Sequence, residues 1–231
     1  MLKIRKAQDR GHFSNDWLDA HFSFSFGGYR DPEYDGYSDL LVLNEDRVRA
    51  GRGFAPHSHV DIEAISYPLS GEIEHRDSVG NVARMRPGDV QRMRAGRGIT
   101  HSEMNASSEQ PEHHLQFWIA PSQPGLDPGY EQRHFERSEL QGRLRLIASP
   151  DGRDGSLTVQ QDARVYAVVA RDQVVDYLPP SGRRTYLHVA RGKLSLNGEP
   201  LAAGDGAVAE HLEHLELLGS PEAEVLLFDL R

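Results

Sequence analysis

Two stretches of this 231-residue chain repeat one pattern of turn residues, and that repeat limits the fold more than any other feature. In the first half, LSGEIE from Leu69 to Glu74 precedes a turn at Gly80-Asn81 and then MRPGDV from Met85 to Val90. In the second half, ARGKLSL from Ala190 to Leu196 precedes Asn197-Gly198 and then LAAGDG from Leu201 to Gly206. Each copy reads strand, glycine, strand, turn, strand, Gly-Asp. Asn-Gly between alternating apolar residues signals a short hairpin, and Gly-Asp makes a tight turn into the next strand. Further short alternating segments run from Tyr37 to Leu43, Val60 to Leu69, Leu115 to Ile119, Leu144 to Ile147, Val165 to Val169 and Glu224 to Leu230. Alternation of this kind predicts strands. Clusters such as GGYRDPEYDG and SPDGRDGS supply the turns between them, and only the stretch from Tyr130 to Leu140 reads as helical. The expected fold is all-β, with one β-unit used twice.

Charge and residue types narrow the chemistry. With 35 acidic against 26 basic side chains the net charge is −9, so the long-range field repels a phosphate backbone and direct nucleic-acid binding is not expected. No apolar run reaches membrane-spanning length, no signal-type segment follows the basic N-terminus, and cysteine is absent, a pattern expected of a cytoplasmic protein outside membranes. Without thiolate, a metal site must use histidine and carboxylate, and the chain holds 12 histidines. With no large apolar patch evident, a monomer is expected.

Several of those histidines are grouped. His57 and His59 are spaced i, i+2, so on a strand they project to one side, and Glu63 shares their parity if no bulge intervenes. The segment AGRGITHSEMN offers His101 and Glu103 at the same spacing. If the two strands face each other inside a barrel, three neutral imidazoles and a carboxylate converge, a donor set suited to Fe(II), Mn, Ni, Cu or Zn. The second half lacks this pattern: aligned on Gly71 and Gly192, the counterparts of His57 and His59 fall near Leu178 and Pro180. His211 and His214 read as a solvated face. The C-terminal copy is expected to be metal-free.

The chain resembles the pirin family of the cupin superfamily, and among them bacterial pirin-like proteins with quercetin 2,3-dioxygenase activity. The resemblance spans RGHFSNDWLDAHFSF, GFAPHSHVDIEAISYPLSGEIEHRDSVGN, AGRGITHSEMN, YEQRHF, SPDGRDGSLTVQQDARVY and the closing EVLLFDL. It implies a bicupin of two jelly-roll-like β-barrels: residues 1–135 as the metal-binding barrel, and residues 136–231 as a barrel without ligands. It also implies one divalent first-row ion, Fe(II) foremost, on His57, His59, His101 and Glu103. The general cupin carboxylate matches Glu63, which is kept as an alternative ligand, a supporting residue or a proton acceptor beside Glu103. Gly96 stands where many cupins have proline.

The implied activity is opening of a flavonol ring with O2 and release of carbon monoxide, Glu103 or Glu63 taking the substrate proton. His75 reads either as a donor behind the ligands or as a surface histidine. Phe22, Phe24 and Phe26 alternate, as core packing or as walls for a flat aromatic substrate. A different reading is a redox-responsive protein that binds a protein partner of the transcription machinery, as pirin relatives do. A third is a metal-bearing cupin acting on another small oxygenated molecule. Arg84, Arg86, Arg92, Arg94 and Arg97 read as an outward, solvated strand face rather than a docking patch.

Overall fold

A computed structural model describes residues 1–231. In chain order the strands are β1 (Leu2–Arg5), β2 (Gly11–Ser14), β3 (Leu18–Phe22), β4 (Leu40–Val48), β5 (Gly53–His59), β6 (Glu63–Ser70) and β7 (Ile73–Asp77). Then come β8 (Val82–Met85), β9 (Asp89–Arg94), β10 (Ile99–Asn105), β11 (Glu112–Ile119) and β12 (Gly129–His134). One helical turn, α1 (Arg137–Leu140), leads to β13 (Arg145–Ser149), β14 (Leu157–Thr158), β15 (Arg164–Arg171) and β16 (Val174–Tyr177). The chain closes with β17 (Arg184–Leu196), β18 (Glu199–Ala202), β19 (Gly206–Ala209) and β20 (Leu215–Leu230). The molecule is all-β, and no helix is long and apolar enough to cross a membrane.

The strands form two compact units. One comprises Gly11–His134 and Val159–Gln161; the other comprises Met1–Arg10, Phe135–Thr158 and Asp162–Arg231. The expected division at 135/136 therefore differs at the start of the chain. β1 pairs antiparallel with β19, Leu2 opposite Ala209 through Arg5 opposite Gly206, so the first ten residues complete the C-terminal unit. Backbone pairing of an edge strand leaves no composition signal, which is why this swap is invisible to patterning.

The two copies share their turns. Gly71 and Gly192 both sit at φ +76°, and a Cβ there would lie 2.7 Å from Glu112 or 2.0 Å from the Glu222 carbonyl oxygen. Left-handed geometry and close backbone approach both require glycine. At the Gly-Asp turns, Asp89 Oδ2 accepts from the Arg86 N–H at 2.9 Å and Asp205 Oδ2 accepts from the Ala202 N–H at 2.9 Å. Asn197 and Gly198, both at positive φ, join β17 to β18 in a two-residue hairpin of the primed type.

In the C-terminal unit, nine strands belong to one sheet. The long β17 and β20 change register at Val189/Arg191 and at Gly192/Leu194, bulges that bend the sheet around a core containing Val189, Leu194, Leu217 and Val225. The counterparts Leu178 and Pro180 lie outside any strand and are exposed.

The N-terminal unit has a seven-stranded sheet, ordered β12-β9-β6-β11-β4-β3-β2, and a four-stranded sheet, ordered β5-β10-β7-β8. Tyr130–His134, expected as helix, instead extends as β12 against β9, and helix is confined to α1. A sheet edge at β9 pairs the inward-facing backbone groups of the segment, and this outweighs its weak helical propensity. Asp61 interrupts the expected strand from Val60 to Leu69: it takes φ +49° and its N–H donates to the Gly96 carbonyl at 2.9 Å. β5 thus ends in one sheet and β6 begins in the other.

Candidate metal centre

β10 lies between β5 and β7, with His101 opposite His57 on one side and opposite Asp77 on the other. Its burial alternates strictly, so Ile99, His101, Glu103 and Asn105 face inward. The structure brings His57, His59 and His101 together, one ring nitrogen from each within 4.8 Å of the others. Ring centroids lie 4.8 Å apart for His57 and His59, 4.4 Å for His57 and His101, and 5.0 Å for His59 and His101.

These donors fit a metal ion. His57 Nδ1 donates to the Ala55 carbonyl at 2.8 Å, which sets the tautomer and leaves Nε2 as a lone-pair donor. His101 is 2% exposed, and neither ring nitrogen has a hydrogen-bond partner. Leaving buried polar atoms unpaired costs about 1–3 kcal/mol each, and coordination of a cation removes that cost for one of the two nitrogens. Burial lowers the pKa of His101 to about 4, with the neighbouring His57, His59 and His75 acting in the same direction against the pull of Glu103. Burial and His57 also lower that of His59. Both rings are held neutral, the form that binds metal.

Glu103 is 4% exposed and belongs to a second group with His75 and His101, whose ligand atoms also lie within 4.8 Å of one another. The Ser66 hydroxyl donates to Oε1 at 3.2 Å and the Gln116 amide donates to Oε2 at 2.7 Å. Gln116 is itself oriented by the Trp118 indole N–H, which donates to its Oε1 at 3.0 Å. Burial raises the Glu103 pKa, but His101, His114, the Gln116 bond and His75 outweigh it, so the carboxyl is held below its ordinary range, as an anion. His75 is fully buried, not a surface residue, and its Nε2 donates to Asp77 Oδ2 at 3.1 Å.

Glu63 does not join this site. Because the chain turns at Asp61, strand parity restarts, and Glu63 projects from the opposite face of β6 to Ser66. Its Oε2 accepts from the Gln160 N–H at 2.6 Å, and Arg92 stands 3.9 Å from Oε1. Burial raises its pKa, partly offset by the Gln160 bond and by Arg92 and Arg94. Its expected roles as alternative ligand or proton acceptor are withdrawn. Arg92, expected in solvent, is 6% exposed and pairs with Glu131 at 3.2 Å. Arg84, by contrast, is exposed and pairs with Glu72 and Glu74.

A cavity of about 1120 Å3 opens beside the centre, with His57, His59, Glu103 and Gln116 in its wall. Trp17, Phe22, Phe26, Tyr29, Phe54 and Trp118 supply aromatic surface. Phe22 and Phe26 thus line the cavity, whereas Phe24 is core. Sequence reading missed Ser66, Gln116 and Trp118. The available signal was on β11, where Glu112, His114, Gln116 and Trp118 alternate with Leu115, Phe117 and Ile119 in a strand buried along most of its length. Replacing Gln116 by leucine is expected to weaken metal retention about 10–100-fold, as loss of a partner behind a ligand does; competition against a chelator measures it.

Two barrels built from one repeated unit, with an inward histidine cluster in the first alone, define a two-domain cupin. The chain belongs to the pirin family: the Pirin model matches residues 3–119 and the model of the quercetinase C-terminal cupin domain matches residues 146–230. It is 42% identical to quercetin 2,3-dioxygenase of Escherichia coli strain K12, over 100% of this chain and 99% of that protein. The crystal structure of the bacterial pirin YhhW from Escherichia coli in complex with nickel(II) superposes with a TM-score of 0.94 at 41% identity, covering 100% of this chain and 99% of that one. A quercetin 2,3-dioxygenase from Acinetobacter baumannii, 21% identical, shares the fold with a TM-score of 0.76 over 99% of this chain and 85% of that one.

Proposed function

We propose that this pirin-family protein is a metal-dependent dioxygenase that opens the ring of quercetin-like flavonols with O2, giving a depside and carbon monoxide. The observation that carries this reading is the convergence of His57, His59 and His101 on one point at the wall of an aromatic-lined cavity, beside the anionic Glu103. The full-length similarity to proteins named quercetin 2,3-dioxygenase supports it. His57, His59 and His101 would hold one divalent first-row ion, with Glu103 as fourth donor. Such an ion would supply Lewis acidity toward the substrate oxygen and reactivity toward dioxygen.

The chain's own groups do the rest. Trp118, Phe26 and Phe22 line the cavity with aromatic surface against which an aromatic substrate packs. Glu103 accepts the flavonol hydroxyl proton on a carboxylate oxygen, and the Ser66 and Gln116 donors keep that carboxylate aimed inward. The test is aerobic incubation of metal-loaded protein with quercetin, following loss of flavonol absorbance and carbon monoxide release. Turnover by the wild type and its loss in His57→Ala is the expected result; no turnover with any first-row metal overturns the proposal.

A further inference from the structure

The segment RGHFSNDWLDAHFSF contains a histidine pair that the centre above does not use. It folds into the β2–β3 hairpin, where His12 and His21 are direct cross-strand partners. Their rings stack with centroids 4.5 Å apart and planes 24° from parallel. Asp19, two residues before His21, lies on the same face. Its Oδ2 is 3.3 Å from His12 Nε2 and its Oδ1 is 3.4 Å from His21 Nδ1. One donor atom from each of the three lies within 4.8 Å of the others.

A tetrahedral ion with bonds of about 2.0–2.1 Å to imidazole places neighbouring donors about 3.3 Å apart. Each imidazole nitrogen stands at about that spacing from a different oxygen of the Asp19 carboxylate, and side-chain rotation on a solvent-facing hairpin would draw the three donors onto one ion. Glu45, opposite His21 on β4, is engaged by Arg47 at 2.8 Å and by His113 at 2.9 Å. Asp19 is therefore the carboxylate that serves the pair.

We propose that His12, Asp19 and His21 form a second divalent-metal site, for a borderline cation such as Zn2+. Three protein donors leave one position to water, and the site is half-exposed at the edge strand whose His12 and Phe13 also line the cavity. The site is independent of the activity proposed above.

Equilibrium dialysis of metal-free full-length protein against Zn2+, with metal analysis, tests it. Wild type is expected to bind two equivalents, the His12→Ala/His21→Ala variant one, the His57→Ala/His59→Ala variant one, and the fourfold variant none. Asp19→Asn, which keeps the side-chain shape, is expected to weaken the second equivalent at least tenfold, with circular dichroism reporting that the hairpin variants remain folded. A single equivalent in wild type that the His12→Ala/His21→Ala variant retains overturns the proposal. So does a second equivalent that survives His12→Ala/His21→Ala; its loss in His214→Ala would then assign it to the exposed Asp176, His214 and Glu216.

Discussion

Replacing His101 by alanine is expected to abolish stoichiometric metal retention at the central site and, with it, turnover of flavonol. The effect should exceed the roughly 10–100-fold that accompanies loss of a residue behind a ligand. His101 is the common member of both donor groups, with His57 and His59 in one and with His75 and Glu103 in the other. The remaining pair, His57 and His59, lies on a half-exposed strand and cannot close a coordination shell without it. Metal analysis after gel filtration gives the readout. Retention within tenfold of wild type would show that the ion is held elsewhere.

The second large effect is on stability. His114 is 1% exposed, with its Nδ1 2.9 Å from Glu112 Oε2 and its Nε2 3.7 Å from Asp46 Oδ2, both carboxylates being buried. Burial lowers its pKa, but Glu112 and Asp46, with help from Glu103, outweigh that and raise it to about 9. The folded pKa lies above the unfolded one, so the contribution is complete below about pH 6.5 and is lost as pH rises through about 9. His114→Leu removes the cation from between two buried anions, and breaking such a pair costs about 3–5 kcal/mol. Urea unfolding between pH 6 and pH 10 tests both statements. Both tryptophans, Trp17 and Trp118, lie in the N-terminal unit and report its transition. The wild type should lose stability across that interval while His114→Leu stays level; parallel curves would refute the ion-pair account.

Much of this was legible from spacing. The paired Gly-Asp turns and the Asn197-Gly198 hairpin announce a duplicated β-unit, because each needs a backbone geometry that few other residues supply. The i, i+2 histidines and the His101/Glu103 pair follow from strand alternation, and β10 keeps that alternation throughout. Glu63 was misread because counting parity from His59 assumes a continuous strand, and the left-handed turn at Asp61 breaks it. Arg92 was misread for a related reason: an arginine on an alternating strand looks solvated until the register puts Glu63 and Glu131 beside it.

The sequence by itself determined that the chain is a twice-used β-unit, and that only the first copy carries closely spaced histidines facing one side. Those properties are local, set by turn residues and by the two-residue period of a strand. Only the tertiary structure decided which carboxylate lies beside the histidines, that Ser66 and Gln116 donate to it, and that β1 completes the C-terminal unit. These depend on which strands pair and in what register. Pairing is decided by long-range burial and backbone hydrogen bonding, and a single positive φ at Asp61 is enough to send one glutamate to the other face of a sheet.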